Sequence, residues 1–170
     1  QAGVGSLAGA VVGYFTNLFP HDPPKFIIME AQAADCLYRG ALAGDGSPRI
    51  VDGDLQTIMA GLACGEPNTI SWDILRNHTT AFVSCPDWVT ARGMRTLGAP
   101  EKGDPRVISG ESGAVTTGLV ETLMLDPEYA ELKELIGLDK TSSVLCFSTE
   151  GDTDPDQYRR IVWEGEYPTC

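Results

Sequence analysis

Three short stretches of this sequence bring together residue types that can do chemistry. The first is Gly3-Val4-Gly5-Ser6-Leu7. Glycines let a backbone turn with its N–H groups pointing inward, and they let an anion approach without a Cβ in the way. The apolar run that follows has helical spacing, so it adds a helix N-terminus with unpaired amides and a positive dipole end. Ser6 adds a hydroxyl, and the whole set suits a phosphate monoester. Close packing alone also accounts for a glycine-rich turn of this kind. The turn is not a P-loop, because no Gly-Lys-Ser/Thr follows, and it is not a complete dinucleotide fingerprint.

The second stretch is SGESGAV, residues 109–115, a strand-to-helix turn with one carboxylate, Glu111. A plain acidic charge in the first turn of a helix explains Glu111 equally well. The third is FSTEGDTDP, residues 147–155. A strand ending in Ser148 and Thr149 sets hydroxyls at the carboxyl edge of a sheet, where α/β proteins bind ligands. Asp152 and Asp154 lack the ligand spacing and terminal Glu of a calcium loop.

The elements that must position these stretches alternate. Leu7, Ala10, Val11, Tyr14, Phe15 and Leu18 recur at three- and four-residue steps and predict a helix, stopped by Pro23 and Pro24. KFIIME reads as a strand buried on both faces, AQAADCLYRGAL as a helix, and AGDGSPRIVDGDL as a loop. LQTIMAGLACG predicts a short helix ending at Gly65, and TISWDILRNH another. TTAFVSC reads as a strand, and DWVTARGMRTLGAP as a helix capped by Asp87 and closed by Gly98 and Pro100. RVISGESGAVTTGLVETLML passes from a short strand into a helix, and PEYAELKELIGL is a helix with Gly137 near its end. SSVLCFST reads as a further strand, followed by an acidic turn and a last helix within EGDTDPDQYRRIVWEG. Such alternation predicts an α/β fold, a parallel sheet covered by helices on both faces. No repeat and no linker divides the chain.

Composition narrows the function classes. A net charge of −12 argues against a nucleic-acid partner. No apolar run is long enough to span a bilayer, and no signal-peptide pattern is present. The five cysteines, at 36, 64, 85, 146 and 170, form no CxxC pair, and His21 and His78 stand alone. No metal site is therefore expected. The thiols are expected to pack as small apolar groups in a reducing cytoplasm, with a Cys36–Cys64 disulfide as the one conceivable exception. The chain starts Gln-Ala-Gly and runs straight into a turn that would ordinarily follow a strand, so it reads as a fragment.

Taken in order, the three turns resemble the fold-type II pyridoxal-phosphate enzymes, the family of the tryptophan synthase β subunit, serine dehydratase and threonine synthase. GVGSLAGAVVGYF, GDLQTIMAGLACGEPNTISWDIL, DPRVISGESGAV and STEGDTDPDQYRRIVWEG look closest to the diaminopropionate ammonia-lyases, over essentially all 170 residues. The resemblance implies a three-layer αβα domain on a parallel sheet, incomplete in this chain. Residues 1–170 would form the carboxyl-terminal part of the lyase and most of one large cofactor-binding domain. It implies pyridoxal 5'-phosphate as cofactor, with Gly3, Val4, Gly5, Ser6 and Leu7 contacting its phosphate. Ser148 or its neighbour Thr149 would face the pyridine nitrogen, and Glu111 would lie beside the ring.

The activity implied is conversion of 2,3-diaminopropionate to pyruvate and ammonia by α,β-elimination. A serine or threonine dehydratase is the alternative within the family, and a non-catalytic anion- or nucleotide-binding module the alternative outside it. Lys25, Lys102, Lys133 and Lys140 do not match the family's Schiff-base lysine. That lysine and the acid–base residue are expected upstream, leaving no catalytic residue in this chain and no turnover by it alone. The partners implied are an amino acid substrate, the amino-terminal part of the same enzyme and a second copy in a cytoplasmic homodimer. An Asp at position 5 is expected to set a carboxylate against the bound phosphate.

Overall fold

The computed structural model describes residues 1–169, which divide into two compact units, Gln1–Ser84 and a second from Cys85 onward. No sequence linker announces that division.

The first unit opens with helix α1, Ser6–Leu18, which follows the predicted spacing. Strand β1, Ile27–Ala31, is buried along nearly its whole length, as its unbroken apolar run predicts. A 3-10 turn, Gln32–Ala34, leads into helix α2, Cys36–Ala43, which ends at Gly44 in the left-handed conformation. Helix α3, Thr69–His78, is capped by Asn68, whose side chain accepts from the Ser71 amide at 2.9 Å. Strand β2, Ala81–Cys85, pairs with β1 in the sheet seen among the described residues. The amides of Thr80 and Ala81 both donate to the Phe26 carbonyl, so the two strands start side by side and run parallel. Val12, Ile28, Leu37, Trp72 and Leu75 pack into one apolar core, and the Trp72 indole N–H donates to the Gly46 carbonyl at 2.8 Å.

The second unit is helical. Helices α4, Asp87–Gly98, and α5, Glu111–Leu125, pack backbone against backbone. A Cβ on Gly118 would lie 1.8 Å from the Val89 carbonyl oxygen, and one on Gly93 would lie 2.1 Å from that of Ala114. Only glycine fits at either crossing point. Helix α6, Ala130–Ile136, follows a 3-10 turn at Pro127–Tyr129 and ends at Gly137 with φ +72°. Helix α7, Pro155–Trp163, lays Tyr158 and Ile161 into the buried side of the unit. Arg95 of α4 donates from Nε to the Ile161 carbonyl at 3.1 Å, and from Nη2 to the carbonyls of Tyr167, at 3.0 Å, and Glu166.

Several expectations need correction. LQTIMAGLACG forms only the 3-10 turn Ala60–Leu62. Its backbone is drawn out instead, with the Val51 amide donating to the Gly65 carbonyl at 2.8 Å. Asp87 is the first residue of α4, and Pro86, which has no side-chain hydrogen bond to give, stands at the cap position. Residues 106–109 and 142–149 are not strands, and neither run belongs to the sheet seen among the described residues. Val107, Ile108, Val144, Leu145 and Phe147 are exposed there. Cys36 and Cys64 are free thiols, not a disulfide, while Cys170 lies outside the described residues. No cluster that could hold a metal ion occurs among the described residues, and no helix of theirs is long and apolar enough to cross a membrane.

Candidate functional site

The predicted site residues fall in both units, and each group is described within its own. In the first unit, Ala2 donates its amide to the Met29 carbonyl at 2.9 Å, which ties the turn to β1. Gly5 stands at the cap position of α1 with φ +91°, and no side chain caps the helix. A non-glycine residue adopts that φ only with strain.

The carbonyls of the turn face the protein. Val4 accepts from the Asn68 amide at 2.8 Å, Gly5 from the Gly9 amide at 2.7 Å, and Gly3 from the Cys36 thiol at 3.9 Å. In a planar trans peptide the N–H points opposite to the C=O. Each inward carbonyl therefore turns the next amide outward, at Val4, Gly5 and Ser6. The amides from Val4 to Ala8 have no acceptor among the described residues, as expected for the first turn of a helix. Ser6 and Leu7 are exposed. The result is a shallow cluster of donors at the positive end of a 13-residue helix, with a hydroxyl beside it. That donor set fits a phosphate.

The expectation for Asp at position 5 needs correction. A Cβ on Gly5 would lie 3.1 Å from Leu75 Cδ1 and 3.3 Å from Leu37 Cδ1, so the side chain would enter the apolar core, away from the amides.

In the second unit, Glu111 is the first residue of α5 and is buried. Its Oε1 accepts from Gln157 Nε2 at 3.0 Å, and its carbonyl accepts from Thr90 Oγ1. Ser148 and Thr149 are exposed and pass directly over the start of α5. A Cβ on Gly113 would lie 3.0 Å from the Thr149 amide nitrogen and 3.3 Å from the Ser148 Cα. Ser148 Oγ donates to the buried Ser109 Oγ at 2.8 Å, and Ser109 Oγ lies 3.4 Å from the Gly110 carbonyl. A rotation of the Ser109 hydroxyl toward Ser148 would leave the exposed Ser148 hydroxyl able to donate outward. Glu150 accepts from the Ser112 amide at 2.6 Å through its carboxylate, and from the Gly110 amide at 3.1 Å through its carbonyl. The structure therefore brings Glu111, Ser148 and Thr149 to one corner, together with Ser109, Glu150 and Gln157, which sequence reasoning did not single out. Ser109 and Glu150 stand inside the quoted stretches, but their pairing spans about forty residues of chain and leaves no local signal.

Glu66 is exposed, and Asp54 accepts from the Gln56 amide at 3.3 Å. Lys25, Lys102 and Lys140 are exposed and Lys133 is half-buried on α6.

Residues 1–134 match the family described as pyridoxal-phosphate dependent enzyme. The chain is 51% identical over 166 residues to the diaminopropionate ammonia-lyase of Salmonella typhimurium, covering 97% of this chain and 41% of that protein. It is 51% identical over 167 residues to that of Escherichia coli, covering 98% of this chain and 42% of the relative. The Escherichia coli diaminopropionate ammonia lyase, solved in complex with an aminoacrylate-PLP azomethine reaction intermediate, superposes with a TM-score of 0.86 at 49% identity over 98% of this chain and 42% of that one. The chain thus spans about two fifths of the length of these relatives. The resemblance read from the glycine-rich turn, ACGEPN and STEGDTD is borne out, and with it the fold-type II architecture and its cofactor, pyridoxal phosphate. The chain belongs to the pyridoxal-phosphate dependent enzyme family.

Proposed function

We propose that this chain is the cofactor-holding part of an ammonia-lyase that converts 2,3-diaminopropionate to pyruvate and ammonia by α,β-elimination. The observation that carries the reading is the open row of amides from Val4 to Ala8, set in a chain half identical to diaminopropionate ammonia-lyases. Those amides and the Ser6 hydroxyl hold the phosphate. The α1 dipole and the inward-tied carbonyls keep the donors aimed without reorganisation. Ser148, backed by Ser109, offers a neutral hydroxyl to the pyridine nitrogen, with Thr149 beside it. A neutral partner leaves the ring less electron-withdrawing than a carboxylate would, which suits elimination. Pyridoxal phosphate supplies the electron sink for the carbon that loses its proton. Glu111, fixed by Gln157, lies beside the ring as a positioning charge.

The reactive lysine and the acid–base group are assigned to the part of the enzyme beyond these residues, so this chain alone is inactive. The exposed apolar residues at 107–108 and 144–147 are the surface assigned to that part. We place the enzyme in the cytoplasm as a homodimer.

The test uses the intact enzyme. Purified protein should carry pyridoxal phosphate that borohydride traps, and it should release pyruvate faster from 2,3-diaminopropionate than from serine or threonine. Faster release from serine would move the assignment to a dehydratase. Absence of trapped cofactor would leave only an anion-binding module.

A further inference from the structure

Helix α7 is fastened near both ends, and the two ends do different things. At its carboxyl end the fastening comes from Arg95 of α4. The Arg95 Nε donates to the Ile161 carbonyl at 3.1 Å, and its Nη2 donates to the Tyr167 carbonyl at 3.0 Å and to that of Glu166. No carboxylate of the described residues lies within ion-pair distance of this guanidinium. Its charge goes instead to the carbonyl end of α7, where the helix dipole favours a cation. The backbone after α7 folds back to reach it, and Tyr167 takes φ +54° in doing so. A non-glycine residue adopts that conformation at a cost, which three carbonyls gathered on one planar fork offset.

At its amino end α7 serves the site. Asp154 caps the helix by accepting from the Gln157 amide at 3.0 Å, and the Gln157 side chain donates to Glu111 Oε1 at 3.0 Å. Gln157 and Ile161 stand one helical turn apart. The carbonyl that Arg95 grips and the side chain that meets Glu111 therefore belong to one rigid stretch. The packing between these two ties is apolar and non-directional. Tyr158 lies against α4 at Gly98, where a Cβ would come 2.8 Å from its Oη, and that buried hydroxyl has no hydrogen-bond partner among the described residues. Directional ties to α4 and α5 come from Arg95 and Gln157.

We infer that Arg95 is a positioning residue for the site at the start of α5: its grip on the carbonyls of Ile161, Glu166 and Tyr167 sets α7 along its axis, and α7 thereby sets Gln157 against the Glu111 carboxylate. This rests on the assignment of Glu111 to the edge of the cofactor ring. Gln157 is a neutral donor, so it orients Glu111 without cancelling its charge. A slide of α7 by a fraction of an ångström stretches that 3.0 Å bond out of good geometry. Arg95 acts from a distance. Thr90, near the start of α4, donates to the Glu111 carbonyl, whereas Arg95 stands about 7.5 Å further along the same helix. A lysine there keeps the charge, but one ammonium does not span three carbonyls as the planar fork does.

The experiment uses the intact enzyme with pyridoxal 5'-phosphate bound. It compares wild type, Arg95→Ala, Arg95→Lys, Gln157→Ala, the Arg95→Ala/Gln157→Ala double variant and Glu111→Gln. The readouts are kcat and KM for 2,3-diaminopropionate and the absorption maximum of the bound cofactor, under conditions where denaturant curves show each variant folded. Gln157→Ala should lower kcat about threefold to tenfold with KM within about twofold, the effect of one hydrogen bond to a charged group. Arg95→Ala should lower kcat by a similar factor and Arg95→Lys by less. The double variant should fall no further than the larger single loss, because both changes remove the same contact. Losses that multiply in the double variant, or full activity in Arg95→Ala, overturn the inference. Should Arg95→Ala fail to fold, Arg95→Met, which keeps the aliphatic stem and removes the donors, takes its place under the same criteria. Glu111→Gln tests the assignment beneath, and should shift the absorption maximum. An unmoved maximum with unchanged kcat means that Glu111 is not beside the ring, and the role of Arg95 falls with it. A shifted maximum with multiplying losses removes the role of Arg95 and leaves the site where it is.

Discussion

The two glycine-rich helix starts, at α1 and at α5, look interchangeable in the sequence and are opposite in the structure. At α1 the amides from Val4 to Ala8 have no acceptor among the described residues, because the carbonyls of Gly3, Val4 and Gly5 are turned inward and no side chain caps the helix. At α5 the Glu150 carboxylate takes the Ser112 amide, and Glu111 sits in the first turn. A helix N-terminus with its own carboxylates is electrostatically filled. One left bare after a left-handed glycine is available to an outside anion. The lesson is that the accounting of donors, and not the presence of glycine, separates a binding turn from a structural one.

The largest expected effect tests what keeps the α1 start bare. Gly5→Ala forces a left-handed residue, about 1–2 kcal/mol, and overpacks Leu37 and Leu75, about 1–3 kcal/mol more. Denaturant midpoints of the intact enzyme should fall accordingly. A fall no greater than a few tenths of a kcal/mol would mean that the turn is not locked by its glycine.

Next in size is the pH response of Glu30, the charge that lies behind the open turn. Its folded value of about 7 stands above its ordinary 4.5. The stability it contributes is therefore full below 4.5 and is lost as pH rises through 7. The shift is worth about 3 kcal/mol between those limits. Urea midpoints at pH 5 and pH 8 should diverge more in wild type than in Glu30→Gln. Equal divergence would show that the carboxyl ionises without cost.

The first helix start itself was legible in residues 1–20, where apolar spacing marks α1 and small residues mark the turn, but its contrast with α5 was not. β1 and β2 were equally legible as apolar, β-branched runs. The runs at 106–109 and 142–149 carry the same composition and are not strands, because a strand is a property of a pair of segments, and Val144 and Leu145 are exposed and outside the sheet seen among the described residues. Glu30 gave a local hint, as an acidic residue ending the run KFIIME. Its meaning depends on Cys36 and on the amides of α2, which only the fold brings to it. Ser109 and Glu150 gave less, since their roles arise from contact with residues some forty positions away.

A more modest effect should appear when the filled helix start is emptied. Glu150→Ala removes a charge-assisted cap from α5, at a cost of about 1–2 kcal/mol. It also removes the carboxylate that the Ser112 amide donates to. Added sulfate should then recover part of the lost stability in the variant and less in wild type. Equal recovery would mean that Glu111 alone repels anions there and that Glu150 is only a cap.

The smallest effect isolates the hydroxyl at the open start. Ser6 is exposed and caps nothing, so Ser6→Ala should leave the denaturant midpoint within about 0.5 kcal/mol of wild type. Cofactor affinity should fall by about threefold to tenfold, the worth of one hydrogen bond to a charged group shared among several donors. If affinity does not move, the backbone amides suffice and Ser6 is a spacer. If it falls a thousandfold, the hydroxyl rather than the helix end carries the anion, and the contrast between α1 and α5 rests on one side chain instead of on a row of amides.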